Sequence, residues 1–222
     1  MLIPLKDENP TSRIPFVTLF LIGINISLFI IQIFSSKGLN YYILKMGVTP
    51  WSITHLKLSV VNAEIFPPLT IFSAMFIHGG FFHLIGNMLY LWIFGNNIED
   101  FLGPIKFFFF YLISGIGASL THILFYPNST QPMIGASGAI AGILSAYLVL
   151  FPRARVHTLI FLFFFIKIVP IPAGLILSLW FIMQLLNAGL GGGIAWFAHI
   201  GGFLVGIALI SMFRRNRRRK TI

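Results

Sequence analysis

Cysteine is absent from the 222 residues of this chain. That excludes a disulfide framework, a thiolate metal site and a cysteine nucleophile. Acidic side chains are scarce too: Asp7, Glu8, Glu64, Glu99 and Asp100 stand against 15 Lys and Arg. Charge of either sign makes up only 9% of the residues, while 57% are hydrophobic. A soluble domain of this size has too much surface for its volume to hide that fraction, so a multi-pass membrane protein is expected. The net charge of +10 does not indicate nucleic acid, because Arg214, Arg215, Arg217, Arg218, Arg219 and Lys220 crowd into the last nine residues, just after an apolar stretch. That placement follows the positive-inside rule, with a grip on anionic lipid headgroups as a secondary reading. The polar residues before the first apolar stretch, and its length, do not fit a cleavable signal peptide.

Apolar stretches near the ~20 residues needed to cross a bilayer recur along the chain. They predict an all-α, six-transmembrane-helix bundle with a partly membrane-embedded first outer loop. The spans fall at about 14–34, 80–97, 105–126, 135–151, 170–187 and 194–213. Lys167, Pro170 and Pro172 break any longer helix, so 156–168 reads as an interfacial segment. Six crossings put both termini on one side, and the basic tail marks that side as cytoplasmic. The basic residues then divide 12 inside to 3 outside, the three being Lys37, Lys45 and Lys57. The chain divides into an N-terminal cytoplasmic segment (1–13), the membrane domain (14–213) and the basic tail (214–222). The expected location is a prokaryotic inner membrane, with any site near the outer face.

In this topology spans two, four and six run in the same direction. Ser137, in QPMIGASGAIAGI, lies near the outer start of span four, and His199 lies about five residues into span six. A serine becomes a nucleophile when a neutral imidazole stands within about 2.6–3.2 Å. His199, Gly202 and Gly206 share one helical face, and Ser137, Ala141 and Ser145 share another. Faces of small residues let membrane helices pack closely. The competing reading makes Ser137 a small packing residue and His199 a structural one, since Gly138-x-x-x-Gly142 and Gly202-x-x-x-Gly206 are common packing patterns. On span two, His83 and Asn87 share a face. Together with the Ser137 backbone N–H they could receive an oxyanion, or they form an interhelical polar clamp. No carboxylate is placed to complete a triad, so a Ser–His dyad is expected, its imidazole oriented by packing or a neighbouring aromatic ring. No metal or cofactor is expected: His78 and His83 lack the spacing and glutamate of a zinc-binding helix.

HGGFFHLIGNMLYLW with GNNIE (78–99), GASG (135–138) and AHIGGFLVG (198–206) follow one another on spans two, four and six. In this they resemble the rhomboid family of intramembrane serine proteases, over roughly residues 13–213. The resemblance implies that Ser137 is the nucleophile, His199 the general base, and His83 and Asn87 the oxyanion-stabilising residues. It implies that His78 helps shape a water-containing site, together with Gly135 and Gly138, and that Gly202 brings span six against span four. Span five would be a movable gate, and the Gly191–Gly193 loop either a mobile cap or an ordinary connector. The substrate would be a single-span or multi-span membrane protein in the lipid bilayer, cut in or near its transmembrane helix. One departure concerns the Trp-Arg pair common in the family's first outer loop: here Trp51 is followed by Ser52, and no Arg occurs between 14 and 152. Two rival readings are a non-catalytic relative that binds membrane clients, whose usual signature is loss of Ser or His, and a small transporter, which would need half-helices or acidic residues.

Overall fold

The computed structural model describes residues 2–57, 65–162, 165–190 and 193–220. Glu64, Gly191 and Gly192 lie outside the described residues, as do the side chains of Arg217, Arg218, Arg219 and Lys220. Strand β1 (Leu2–Asp7) is followed by α1 (Phe16–Phe34), α2 (Gly38–Met46) and α3 (Pro50–His55). A short α4 (Thr70–Ser73) lies between two 3-10 turns. Helix α5 (Phe81–Tyr90) passes through a π turn (Leu91–Gly95) into α6 (Asn96–Leu102). Then come α7 (Pro104–Phe125), α8 (Ser137–Leu150), β2 (Arg155–Leu162), β3 (Phe165–Pro172), α9 (Ala173–Asn187) and α10 (Trp196–Lys220).

Three stretches are single helices long and apolar enough to cross a membrane: Phe16–Phe34, Pro104–Phe125 and Trp196–Arg215. A fourth candidate is the pair Pro67–Phe76 and Phe81–Leu102, bent by 79° at its break. Two shorter apolar helices, Ser137–Leu150 and Ala173–Asn187, complete the bundle. Large apolar side chains such as Phe20, Ile31, Leu124, Leu186 and Leu204 are exposed on its outside, which suits a hydrocarbon surround rather than water. Helix α8 is the central element: every residue from Gly138 to Tyr147 is buried.

The chain is predominantly helical, but the all-α expectation needs correction. β1, β2 and β3 form an antiparallel sheet in that order, and it includes the stretch expected to be an interfacial segment. Residues 155–172 are rich in β-branched and aromatic side chains (Val156, Thr158, Ile160, Phe161, Ile166, Ile168, Val169, Ile171), which favour extended backbone. Pro170 and Pro172 lie in β3, at the sheet's edge, where a missing N–H is tolerated. Within the N-terminal segment, Leu2–Asp7 is thus the first strand of this sheet.

Four of the five acidic residues bond here: Asp7, Glu8 and Asp100 fasten that segment, and Glu99 holds the start of α1. The Glu99 carboxylate accepts from the backbone N–H of Val17 (2.9 Å) and Thr18 (2.8 Å) and from the Thr18 hydroxyl (2.8 Å). It thereby satisfies the first turn of α1, which has no side-chain cap of its own. Asp100 accepts from the backbone and hydroxyl of Ser12. Asp7 accepts from the Tyr147 hydroxyl (2.5 Å) and Asn97 Nδ2 (2.9 Å), and Glu8 pairs with His157 Nε2 at 2.7 Å. The GNNIE stretch thus reads as a docking surface: Gly95 lets Thr18 approach closely, Asn97 holds Asp7, and Glu99 caps α1.

Burial holds the Asp7 carboxyl above its ordinary value of 3.8, outweighing the hydrogen bonds that favour its charged form. A group raised in the folded state contributes stability that is fully present below its unfolded value and is lost as pH rises through the folded one. The melting temperature of Asp7→Asn in detergent should therefore shift in the variant's favour, relative to wild type, as pH rises from about 3.5 to about 7. A difference that stays constant, or moves toward the wild type, contradicts this assignment.

Candidate active site

Close backbone contact between α8 and α10 builds the site. A Cβ placed on Gly202 would collide with the carbonyl oxygen of Gly138, and one on Gly206 with that of Gly142. On the other side of α8, Gly138 faces Ala118 and Gly142 faces Ser114, both on α7. The small residues expected to bring spans four and six together are in contact, and they bring α7 in as well.

Ser137 is the first residue of α8 and His199 the fourth of α10. His199 Nε2 lies 2.8 Å from Ser137 Oγ. At this distance a neutral imidazole can take up the hydroxyl proton as the oxygen attacks. His199 Nδ1 lies 2.8 Å from Oε1 of Gln184 on α9. Trp180 and Trp196 flank the imidazole at ring-centroid distances of 5.8 and 6.4 Å, so the expected aromatic neighbours are present beside a hydrogen bond that was not foreseen. Sequence reasoning missed Gln184 because it looked only for a carboxylate as the third group. The available signal was an isolated amide inside the apolar run LWFIMQLL.

His83 and Asn87 project from α5 toward the start of α8. The Gly79 N–H donates to His83 Nδ1 at 3.4 Å, which leaves Nε2 as the ring's N–H in the neutral form. Gly135 adopts φ +111, and a Cβ there would lie 2.6 Å from His83 Nε2 and 3.5 Å from Asn87 Nδ2. Only glycine gives the two side chains room beside the α8 N-terminus. Asn87 Nδ2 is buried and has no hydrogen-bond partner among the described residues. Ser137, His199, His83, Asn87, Gly135 and Gly138 all line one cavity of about 570 Å³. It therefore holds a hydroxyl and an imidazole within hydrogen-bond distance, together with a buried amide nitrogen that has no partner among the described residues.

His78 takes a place behind the cavity wall. It is fully buried and absent from the cavity wall. Its ring packs edge-on behind His83 at 5.1 Å, and its backbone is held by Gln32. It lies against an imidazole of the wall rather than in it. The first loop, which lacks the Trp-Arg pair, is secured through backbone: Val48 and Met133 pair, and the Trp51 N–H donates to the Ser129 carbonyl at 3.0 Å. Among the described residues no group of three His, Asp or Glu side chains is placed to hold a metal ion.

Residues 67–216 match the Rhomboid domain family, a stretch that contains all three motifs. Among curated proteins, the chain is 30% identical over 187 residues to "Rhomboid protein 1, mitochondrial" of Saccharomyces cerevisiae, covering 79% of this chain and 51% of that one. It is 36% identical to "RHOMBOID-like protein 6, mitochondrial" of Arabidopsis thaliana, over 62% and 41% of the two chains. It is 31% identical to "Presenilin-associated rhomboid-like protein, mitochondrial" of Mus musculus, over 61% and 36%. The chain thus spans about half or less of the length of these relatives. Their mitochondrial names overturn the expected prokaryotic inner-membrane location, although a membrane location stands.

Inserting a side chain between α8 and α10 tests whether their contact assembles the site. Gly202→Val should destabilise the protein by about 1–3 kcal/mol through overpacking, read as a lower melting temperature in detergent. A melting temperature equal to that of wild type contradicts the contact described.

Proposed function

The chain belongs to the rhomboid family, and from that premise we propose that it is an intramembrane serine endopeptidase. The observation that carries the reading is the 2.8 Å contact between Ser137 Oγ and His199 Nε2, within one cavity with an Asn87 donor that has no partner among the described residues. Six crossings make up its membrane domain: α1, α5 continuing into α6, α7, α8, α9 and α10. Helix α8 has 14 residues, about 21 Å at 1.5 Å per residue, against about 30 Å of hydrocarbon. If its end at Leu150 reaches one interface, Ser137 starts several ångströms beneath the other. The cavity then admits water from that face.

Catalysis begins when Ser137 Oγ attacks a substrate carbonyl carbon and its proton passes to His199 Nε2. Negative charge moves to the carbonyl oxygen, which takes hydrogen bonds from His83 Nε2–H, Asn87 Nδ2 and the Ser137 backbone N–H. The intermediate collapses, the imidazolium gives its proton to the departing amine, and the acyl group stays on Ser137 as an ester. Water then attacks the ester, with His199 again taking the proton, and the hydroxyl is restored. Because helical hydrogen bonding shields each carbonyl, the substrate must unwind locally first. The favoured substrates are membrane proteins, single-span or multi-span, whose helices carry Gly or Pro near the cut.

Purified protein in liposomes should cleave a single-span reporter. Ser137→Ala should abolish both cleavage and labelling by a fluorophosphonate probe, and His199→Ala should sharply reduce both. Equal cleavage by Ser137→Ala removes the nucleophile assignment. Asn87→Ala should lower kcat by about 10- to 1,000-fold as an oxyanion donor is lost. An unchanged kcat makes Asn87 an interhelical clamp instead.

A further inference from the structure

We propose that Gln184 is a positioning residue that holds His199 in the Nδ1–H tautomer, so that an uncharged amide occupies the place a carboxylate takes in a Ser-His-Asp triad. The inference rests on the protease reading above and adds a residue to it.

A chain of donors and acceptors links Trp180, Gln184, His199 and Ser137. Gln184 sits on α9 with 3% of its surface exposed, while its neighbours Met183, Leu185 and Leu186 are exposed. Its Nε2 lies 3.0 Å from the carbonyl oxygen of Trp180, one turn earlier. A backbone carbonyl only accepts, so the amide nitrogen must face Trp180 and Oε1 must face His199. An amide oxygen also only accepts, so the 2.8 Å contact to His199 requires hydrogen on Nδ1. Neutral imidazole carries one N–H, so the lone pair lies on Nε2, 2.8 Å from Ser137 Oγ. Each bond determines the next, ending with an acceptor aimed at the hydroxyl.

Trp180 and Trp196 restrain the ring from its sides, but packing alone does not choose which nitrogen carries hydrogen. An amide makes that choice without a buried anion, which is costly inside a membrane domain. Among the described residues no carboxylate bonds to His199, and the titratable groups acting on it are His83 and His122. The bond also joins two helices, α9 and α10, so moving α9 away releases the imidazole.

Nitrogen NMR of full-length protein carrying 15N-histidine, with His199→Ala for assignment, reads the tautomer directly. Wild type should show His199 with hydrogen on Nδ1, and Gln184→Leu should lose that preference. In reporter cleavage, Gln184→Leu should lower kcat about 100-fold, within the range of acid–base contributions, with KM changed less than about twofold. Gln184→Glu restores the acceptor. It should recover most of the kcat and move the acidic limb of the pH–rate profile upward. Hydrogen on Nε2 in the wild type overturns the proposal, and that measurement needs no variant of Gln184. An equal loss of kcat in Gln184→Glu and Gln184→Leu, with no pH displacement, also overturns it and makes Gln184 structural. Neither result touches the protease reading, which fails only if Ser137→Ala stays active.

Discussion

Everything at the site depends on how closely the backbones of α8 and α10 approach. Gly202 packs against the Gly138 carbonyl and Gly206 against the Gly142 carbonyl, so close that an added Cβ would collide. Water does not drive helices together within a membrane, so dispersion contacts and weak polar contacts across small residues must hold them. Both helices begin at the same end of the bundle, so the contact sets the first residue of one beside the fourth residue of the other. A hydroxyl and an imidazole thereby come within hydrogen-bond reach. The same packing serves cohesion and chemistry.

The polar groups around that contact form a directed set. Gly79 fixes the hydrogen of His83, Trp180 fixes the amide of Gln184, and Gln184 fixes the hydrogen of His199. In the first two cases a backbone group of known polarity decides a side chain whose polarity is otherwise ambiguous, and in the third the side chain so oriented decides the next. Asn87 is the exception, with a buried donor facing the cavity and no partner among the described residues. Leaving a polar group unpaired costs stability, and such a group is suited to an acceptor that exists only during reaction. Charge is kept away from this centre. Asp7, Glu8, Glu99 and Asp100 work at the other end of the bundle, where three of them hold the N-terminal segment to α6, α8 and the sheet and Glu99 holds α1 to α6.

Much of the site could be read from residue order. Ser137, His199, His83 and Asn87 were legible because residue type, helical spacing and implied depth agreed, and the structure brings all four to one cavity. His78 was harder, since five residues from His83 puts it near the site without saying which side of a glycine bend its ring takes. The sheet was missed because residues 156–172 are apolar almost throughout, and a continuous apolar run looks the same for a strand as for a buried helical piece. Pairing with Leu2–Asp7, about 150 residues earlier by the numbering of the chain, is a long-range event with no local signature. Gln184 stood in plain view as an amide in an apolar run, but nothing local connects it to an imidazole 15 residues later.

By itself the amino-acid order determined that the chain lives in a membrane, which helices carry small faces, and which side chains could do chemistry, because those properties follow from composition and period. Only tertiary structure decided which nitrogen of His199 faces Ser137, that His78 stays behind the wall, and that the first strand pairs with β2. Those outcomes depend on contacts between segments distant in sequence, and hydrogen-bond direction is set by geometry rather than by residue type.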